Sequence, residues 1–236
     1  MRRAWHERAA RPLTALLLSL AAATGCSNLF HSDAKPEQTY LLRAPVRAGG
    51  TGGTGGADAA AATAAPAAAL LAPIQVAHPA ASPGLDGPHI ILVQADHRSN
   101  FYVGSRWPAP LSDMVEALAV EALRASGDWQ SVQDSASPFT SEYLLWMSVR
   151  RFEADYSRRH SAPEVEVLLD CTVGAREGRE FVGSFVARGS APAAADRMED
   201  VIAAFESASD AALTSLAQQA AATTRAYAER AAAATH

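Results

Sequence analysis

Ten residues in the second half of the chain constrain its fold more than any others. From Glu164 to Val173, the side chains of Val165, Val167, Leu169, Cys171 and Val173 point one way, while Glu164, Glu166, Asp170 and Thr172 point the other. Successive side chains of a strand face opposite sides, so this alternation predicts a half-buried strand of an antiparallel sheet with one wet face. Leu168 is the exception. Before it, Tyr143 to Phe152 alternates less cleanly, with Leu145, Met147 and Val149 on one face. After it, the polar stretch Gly174 to Arg179 turns the chain into Glu180 to Arg188. Three successive strands with short connections read as a meander.

Two segments carry a helical period instead. Leu111, Val115, Leu118 and Ala122 recur at spacings of four, three and four, one face of a helix. Pro110 suits its first turn and Asp113 its positive end, and Gly127 is a stop signal. Val201, Phe205, Ala208, Ala212 and Leu216 repeat the pattern further on. Residues 217–236 are Ala-rich, helical by propensity but without a continuous apolar face; they are expected to project or to contact a partner. Ile90 to Val93, Phe101 to Val103 and Tyr40 to Leu42 are shorter strand candidates. The expected fold is therefore α+β: an antiparallel sheet of about four to five strands with two main helices packed on one face. The other face, or an edge, is left as a docking surface.

Composition removes several functions. Twenty basic residues against 25 acidic ones leave a net charge of −5, whereas a nucleic-acid binder needs a basic face. Two cysteines rule out a disulfide-stapled scaffold and a multi-cysteine zinc site. Residues 46–88 are rich in Gly, Ala and Pro and read as a flexible insertion; no Gly-Lys-Ser/Thr follows the glycines, so they are not a phosphate loop. His31, His78, His89, His97, His160 and His236 are scattered without helical pairing, so neither a metal nor a cofactor is expected. No Gly-x-Ser-x-Gly elbow is present. Glu164 and Glu166 share a strand face and could in chemistry act as an acid–base pair, but a solvated face is the plainer reading. Cys171 alternates in phase with apolar neighbours, beside Asp170 rather than a base, and reads as a small buried residue. Arg150–Arg151 and Arg158–Arg159 are basic pairs that suit phospholipid headgroups, peptidoglycan or plain solvent. Trp107, beside Pro108, is placed over the sheet rather than in a lipid interface. No catalytic residue is assigned.

The amino terminus is an address. Arg2, Arg3, Arg8 and Arg11 precede an apolar run from Leu13 to Ala23, the pattern of a secretory signal peptide over residues 1–25. The run is too short to span ~30 Å of hydrocarbon. Ala23-Thr24-Gly25-Cys26 resembles a bacterial lipobox, which implies cleavage between Gly25 and Cys26 and acylation of Cys26. Several acyl chains hold a protein on a membrane stably where one does not. Ser27, rather than Asp, follows the cysteine; by the same resemblance the protein is sorted to the outer membrane, with its body in the periplasm. Loss of the four arginines and Glu7 takes the net charge from −5 to about −8, so polybasic attraction to anionic lipid adds nothing. Residues 26–39 read as the lipidated tether and residues 40–45 as a short strand returning to the folded domain.

Further landmarks come in a fixed order: Tyr40-Leu41-Leu42, Ile90 to Val93, Asn100-Phe101-Tyr102-Val103-Gly104-Ser105-Arg106-Trp107-Pro108-Ala109-Pro110-Leu111, Ala122 to Trp129, the strand pair over 143–173, and Val201 to Phe205 with Ala208. Together with Gly25-Cys26 they resemble the ABC-type transport auxiliary lipoproteins, over most of residues 89–216. The resemblance implies a non-enzymatic accessory subunit of an envelope lipid transporter built on mammalian-cell-entry (MCE) domains. Its partners would be the MCE protein, the outer membrane through the acyl chains on Cys26, and copies of itself in a ring; nucleic acid is not among them. A lipoprotein that structures the envelope by binding peptidoglycan or an outer-membrane assembly machine is the alternative.

Overall fold

A computed structural model of the chain describes residues 37–43, 70–157 and 162–234. The expected signal peptide, most of the lipidated tether with Gly25 and Cys26, the part of the expected insertion up to residue 69, and Arg158–Arg159 lie outside the described residues.

Three long strands form the centre: β7 (Tyr143–Asp155), β8 (Glu164–Ala175) and β9 (Glu180–Pro192). They pair antiparallel in sequence order, Tyr143 opposite Ala175 and Asp155 opposite Glu164, then Glu164 opposite Pro192 and Ala175 opposite Glu180. The meander read from the sequence is this ribbon. The register of β7 slips between Val149 and Arg151, a bulge that inserts Arg150 and resets the alternation. Leu145, Met147 and Val149 before it, and Phe152 and Ala154 after it, therefore bury on one face. That is why the β7 sequence alternates imperfectly.

The sheet as a whole is mixed and has nine strands, not about four to five antiparallel ones. The other edge of β7 is lined in turn by three short parallel strands. β2 (Ile74–Val76) lies beside Tyr143–Leu145, β3 (Ala80–Ala81) beside Ser148–Val149, and β4 (His89–Val93) beside Glu153–Asp155. β5 (Ser99–Arg106) turns back antiparallel on β4, β1 (Gln38–Thr39) adds parallel to the end of β5, and β6 (Val132–Gln133) adds parallel to β2. Two of these strands, β2 and β3, fall inside residues 46–88, the stretch expected to be a flexible insertion. A strand two or three residues long shows no measurable period, and a parallel pair requires a crossover rather than a tight turn. The return through β5 and α1 (Leu111–Ser126) supplies that crossover.

Helix α1 is bounded as the sequence requires. Gly127 closes it at φ 70°, ψ 12°, its N–H bonded to the Arg124 carbonyl, the left-handed cap that glycine adopts without a Cβ penalty. At the other end the Ser112 hydroxyl donates to Asp86 Oδ1 at 2.7 Å. Helix α2 (Met198–Ala234) lies along β8 and β9. It runs well past Leu216: Ala217, Ala220, Ala221 and Thr224 are buried, while residues 228–234 are exposed. Arg225 Nη2 reaches Asp128 Oδ1 at 2.6 Å, and the Tyr227 hydroxyl donates to Glu180. Small side chains let the helix approach the sheet closely, so this face is continuous without being strongly apolar.

An aromatic cluster sits in the core. Trp107, 1% exposed, meets Phe152 and Phe205 edge-on at centroid distances of 5.9 and 5.3 Å, and the two phenylalanines stack at 5.3 Å. Each such pair adds ~0.5–1.5 kcal/mol beyond area burial. Trp107 thus joins the end of β5 to β7 and α2, as its place beside Pro108 predicts. No helix among the described residues is long and apolar enough to cross a membrane.

Candidate docking face

Packing α2 against one side of the ribbon leaves the opposite side open, and the alternation of β7, β8 and β9 decides what stands there. The open face divides along its length. At the end nearest the β8–β9 turn it carries Leu144 and Trp146 from β7, Thr172 and Gly174 from β8, and Phe181 from β9, with Val186 further along. Trp146, Phe181 and Val186 are 49, 67 and 50% exposed, a grouping that goes beyond the scattered single apolar side chains of an ordinary surface. The Trp146 ring lies across Gly174: a Cβ there would stand 3.0 Å from the indole. These residues bound a half-open groove of about 430 Å³, rimmed by Arg176, Arg179 and Glu180.

The other end of the face is charged. Arg150 Nη1 pairs with Asp170 Oδ2 at 3.2 Å, and Arg151 Nη1 donates to Glu166 Oε2 across the strands. That hydrogen bond raises the pKa of the Arg151 guanidinium. Burial raises the Glu153 carboxyl, and nearby Arg151 opposes it. Leu168, the residue out of phase in the sequence, stands opposite Arg151 and Arg188, where arginine stems can cover it.

The structure separates the residues singled out from the sequence. Glu164 and Glu166 do share the open face, and Glu166 is engaged by Arg151. Cys171 is buried on the helix side, its thiol directed at the Leu169 carbonyl. Burial pushes that thiol up to about 12, with Asp170 adding to the shift and a backbone hydrogen bond from Ala187 opposing it; a nucleophile needs the reverse. His78 Nδ1 lies 2.9 Å from Glu116 Oε2, and His89 stacks on Phe101 at 4.8 Å. Among the described residues no three His, Cys, Asp or Glu side chains converge on a point that could hold a metal. Gly25 and Cys26 are outside the described residues.

The groove itself escaped the sequence reading. Its signal was present: Leu144 and Trp146 occupy the wet phase of β7, and Phe181 the wet phase of β9. Only the register brings the three together around Gly174.

A helix layer on one face of a mixed sheet, with the opposite face half apolar and half charged, defines a sheet domain built to present a surface. The chain belongs to the family of ABC-type transport auxiliary lipoprotein components, whose family model matches residues 56–221. Membership makes it a lipoprotein of a transport-auxiliary family. The crystal structure of protein XCC0632 from Xanthomonas campestris is similar: TM-score 0.63, 28% identity, covering 68% of this chain and 89% of that one. A crystallised uncharacterised protein shares the fold at TM-score 0.52 and 14% identity, over 62% of this chain and 90% of that one. A search of curated proteins finds no match.

Proposed function

We infer that this chain is the outer-membrane-anchored periplasmic accessory subunit of an MCE-type ABC system for lipid transport, with a docking rather than a catalytic role. Acyl groups on Cys26 hold it to the membrane. The residues between Cys26 and β1 (Gln38–Thr39) are the tether, and the body beyond presents the open sheet face to the transporter. The observation that carries this reading is that face: the helix side is consumed by the core, while Leu144, Trp146, Phe181 and Val186 stand together on the other, toward solvent. A surface of that kind marks an interaction site. The family description, an auxiliary lipoprotein of ABC-type transport, supports the setting.

The test is affinity purification of the full chain after crosslinking in intact cells. An MCE-domain protein is expected among the recovered partners. Recovery of peptidoglycan fragments or an outer-membrane assembly complex instead, with no MCE protein, overturns the reading in favour of an envelope-structuring role.

A further inference from the structure

The groove beside Trp146 has two chemistries at once. Leu144, Trp146 and Phe181 form its apolar walls, and Gly174 keeps its floor free of a side chain. Its volume of about 430 Å³ falls within the ~300–1,000 Å³ of small-molecule sites. The charges at the rim are not equivalent. Arg176 is spent on the fold, donating to Ser141 Oγ and to the Gln75 side-chain oxygen. Glu180 is occupied by the Tyr227 hydroxyl. Arg179 lies in the turn between β8 and β9, and its guanidinium makes no ion pair or hydrogen bond among the described residues. Only its backbone N–H is bonded, to the Arg176 carbonyl.

We propose that this groove binds an anionic amphiphile, its acyl chain lying between Trp146 and Phe181 over Gly174 and its phosphate paired with Arg179. The complementarity is specific: an apolar channel ending at an uncommitted guanidinium matches a chain ending in an anionic headgroup, and guanidinium pairs phosphate in a bidentate fork. The ligand class rests on the lipid-transport reading above, but the site itself rests on the groove. Each can fail without the other.

Trp146 supplies its own reporter. Trp107 and Trp129 are buried, at 1 and 6% exposure. The full chain carrying Trp5→Phe and Cys26→Ser therefore has one exposed tryptophan among the described residues and no acyl acceptor of its own. Titration with a lysophosphatidylglycerol brominated on its acyl chain is expected to quench Trp146 saturably. The same lipid with a phosphocholine headgroup is expected to bind at least fivefold more weakly. Arg179→Glu should remove that preference, and Phe181→Glu should remove quenching by both lipids while leaving the thermal transition in place. Inorganic phosphate alone should neither quench nor compete; effective competition would mean a plain phosphate site and overturn the acyl assignment. Absence of quenching in the unmutated groove, or equal binding of both headgroups, overturns the proposal. So does a photocrosslinker placed at position 181 in cells that captures protein and never lipid, which would leave the docking face of the proposed function standing and remove the lipid site.

Discussion

Gly189 of β9 and Ala208 of α2 meet backbone to backbone: a Cβ on Gly189 would stand 1.9 Å from the Ala208 carbonyl oxygen and 2.7 Å from the Ala212 nitrogen. At Gly183 the obstacle is a side chain: a Cβ there would stand 2.4 Å from Thr223 Cγ2. The seam between helix and sheet is closed at these two glycines, where α2 brings Ala208 and Ala212 to Gly189 and Thr223 to Gly183.

Gly189→Ala must push the helix off the sheet, because the obstacle is backbone and has no rotamer to change. Overpacking of this kind costs ~1–3 kcal/mol or more, which lowers Tm by roughly 2–4 °C per kcal/mol in a domain of this size. Gly87→Ala is the matched control: its Cβ would meet only His89, at 3.8 Å, and should stay within about 0.5 kcal/mol of the parent. Thermal unfolding followed by circular dichroism distinguishes the two. Equal Tm values would contradict the described seam.

Two truncations, one after Tyr227 and one after Leu216, test how far α2 belongs to the body. The first removes residues 228–236, of which 228–234 are exposed, and should leave Tm almost unchanged. The second removes Ala217, Ala220, Ala221 and Thr224 from the buried set and breaks the Arg225–Asp128 pair. It should expose β9 and lower Tm by several degrees. If both truncations behaved alike, the helix beyond Leu216 would be packed on nothing.

Tyr102, Tyr156 and Asp196 form a chain of hydrogen bonds, 2.9 Å between the two hydroxyls and 2.5 Å from Tyr156 to the carboxylate. Burial, helped by the Asp196 charge, pushes the Tyr102 hydroxyl up to about 12 from 10.0 against an opposing hydrogen bond with Tyr156. Burial likewise raises Tyr156. A raised tyrosine pKa means that the folded state holds its proton longer than the unfolded chain does. The stabilisation is complete below about pH 10 and is lost as pH rises toward about 12. Urea midpoints should therefore fall across that window, and Tyr102→Phe should flatten the fall. An unchanged profile in the variant would show that the clasp does not contribute.

Cys26→Ala removes the only acceptor proposed for acylation. The variant is expected to leave the membrane fraction and to appear as soluble or mislocalised periplasmic protein, with its circular dichroism spectrum intact. Firm retention in the outer membrane would sink the tether.

The β7–β9 meander and both helices were visible in the sequence because each has a long periodic run and a marked end. Gly127 is such an end, and its left-handed φ is the one expected. The sequence did not show β1, β2, β3 or β6 as members of the sheet. Gln38–Thr39 and Ala80–Ala81 have no apolar pattern of their own; they are strands because a longer neighbour offers them hydrogen bonds. Nor did it show that α2 stays packed beyond Leu216, since Ala220 and Ala221 gain their role from the close approach of helix and sheet at Gly183 and Gly189.

The family resemblance rests on landmark residues in order along the chain, and the burial of Cys171 and Trp107 on alternation and near neighbours. The groove does not. Leu144, Trp146, Gly174, Arg179 and Phe181 come from three strands and a turn, and only the antiparallel register sets them side by side. Periodicity tells which face a side chain takes, but register, a property of paired backbones, decides which side chains become neighbours on it.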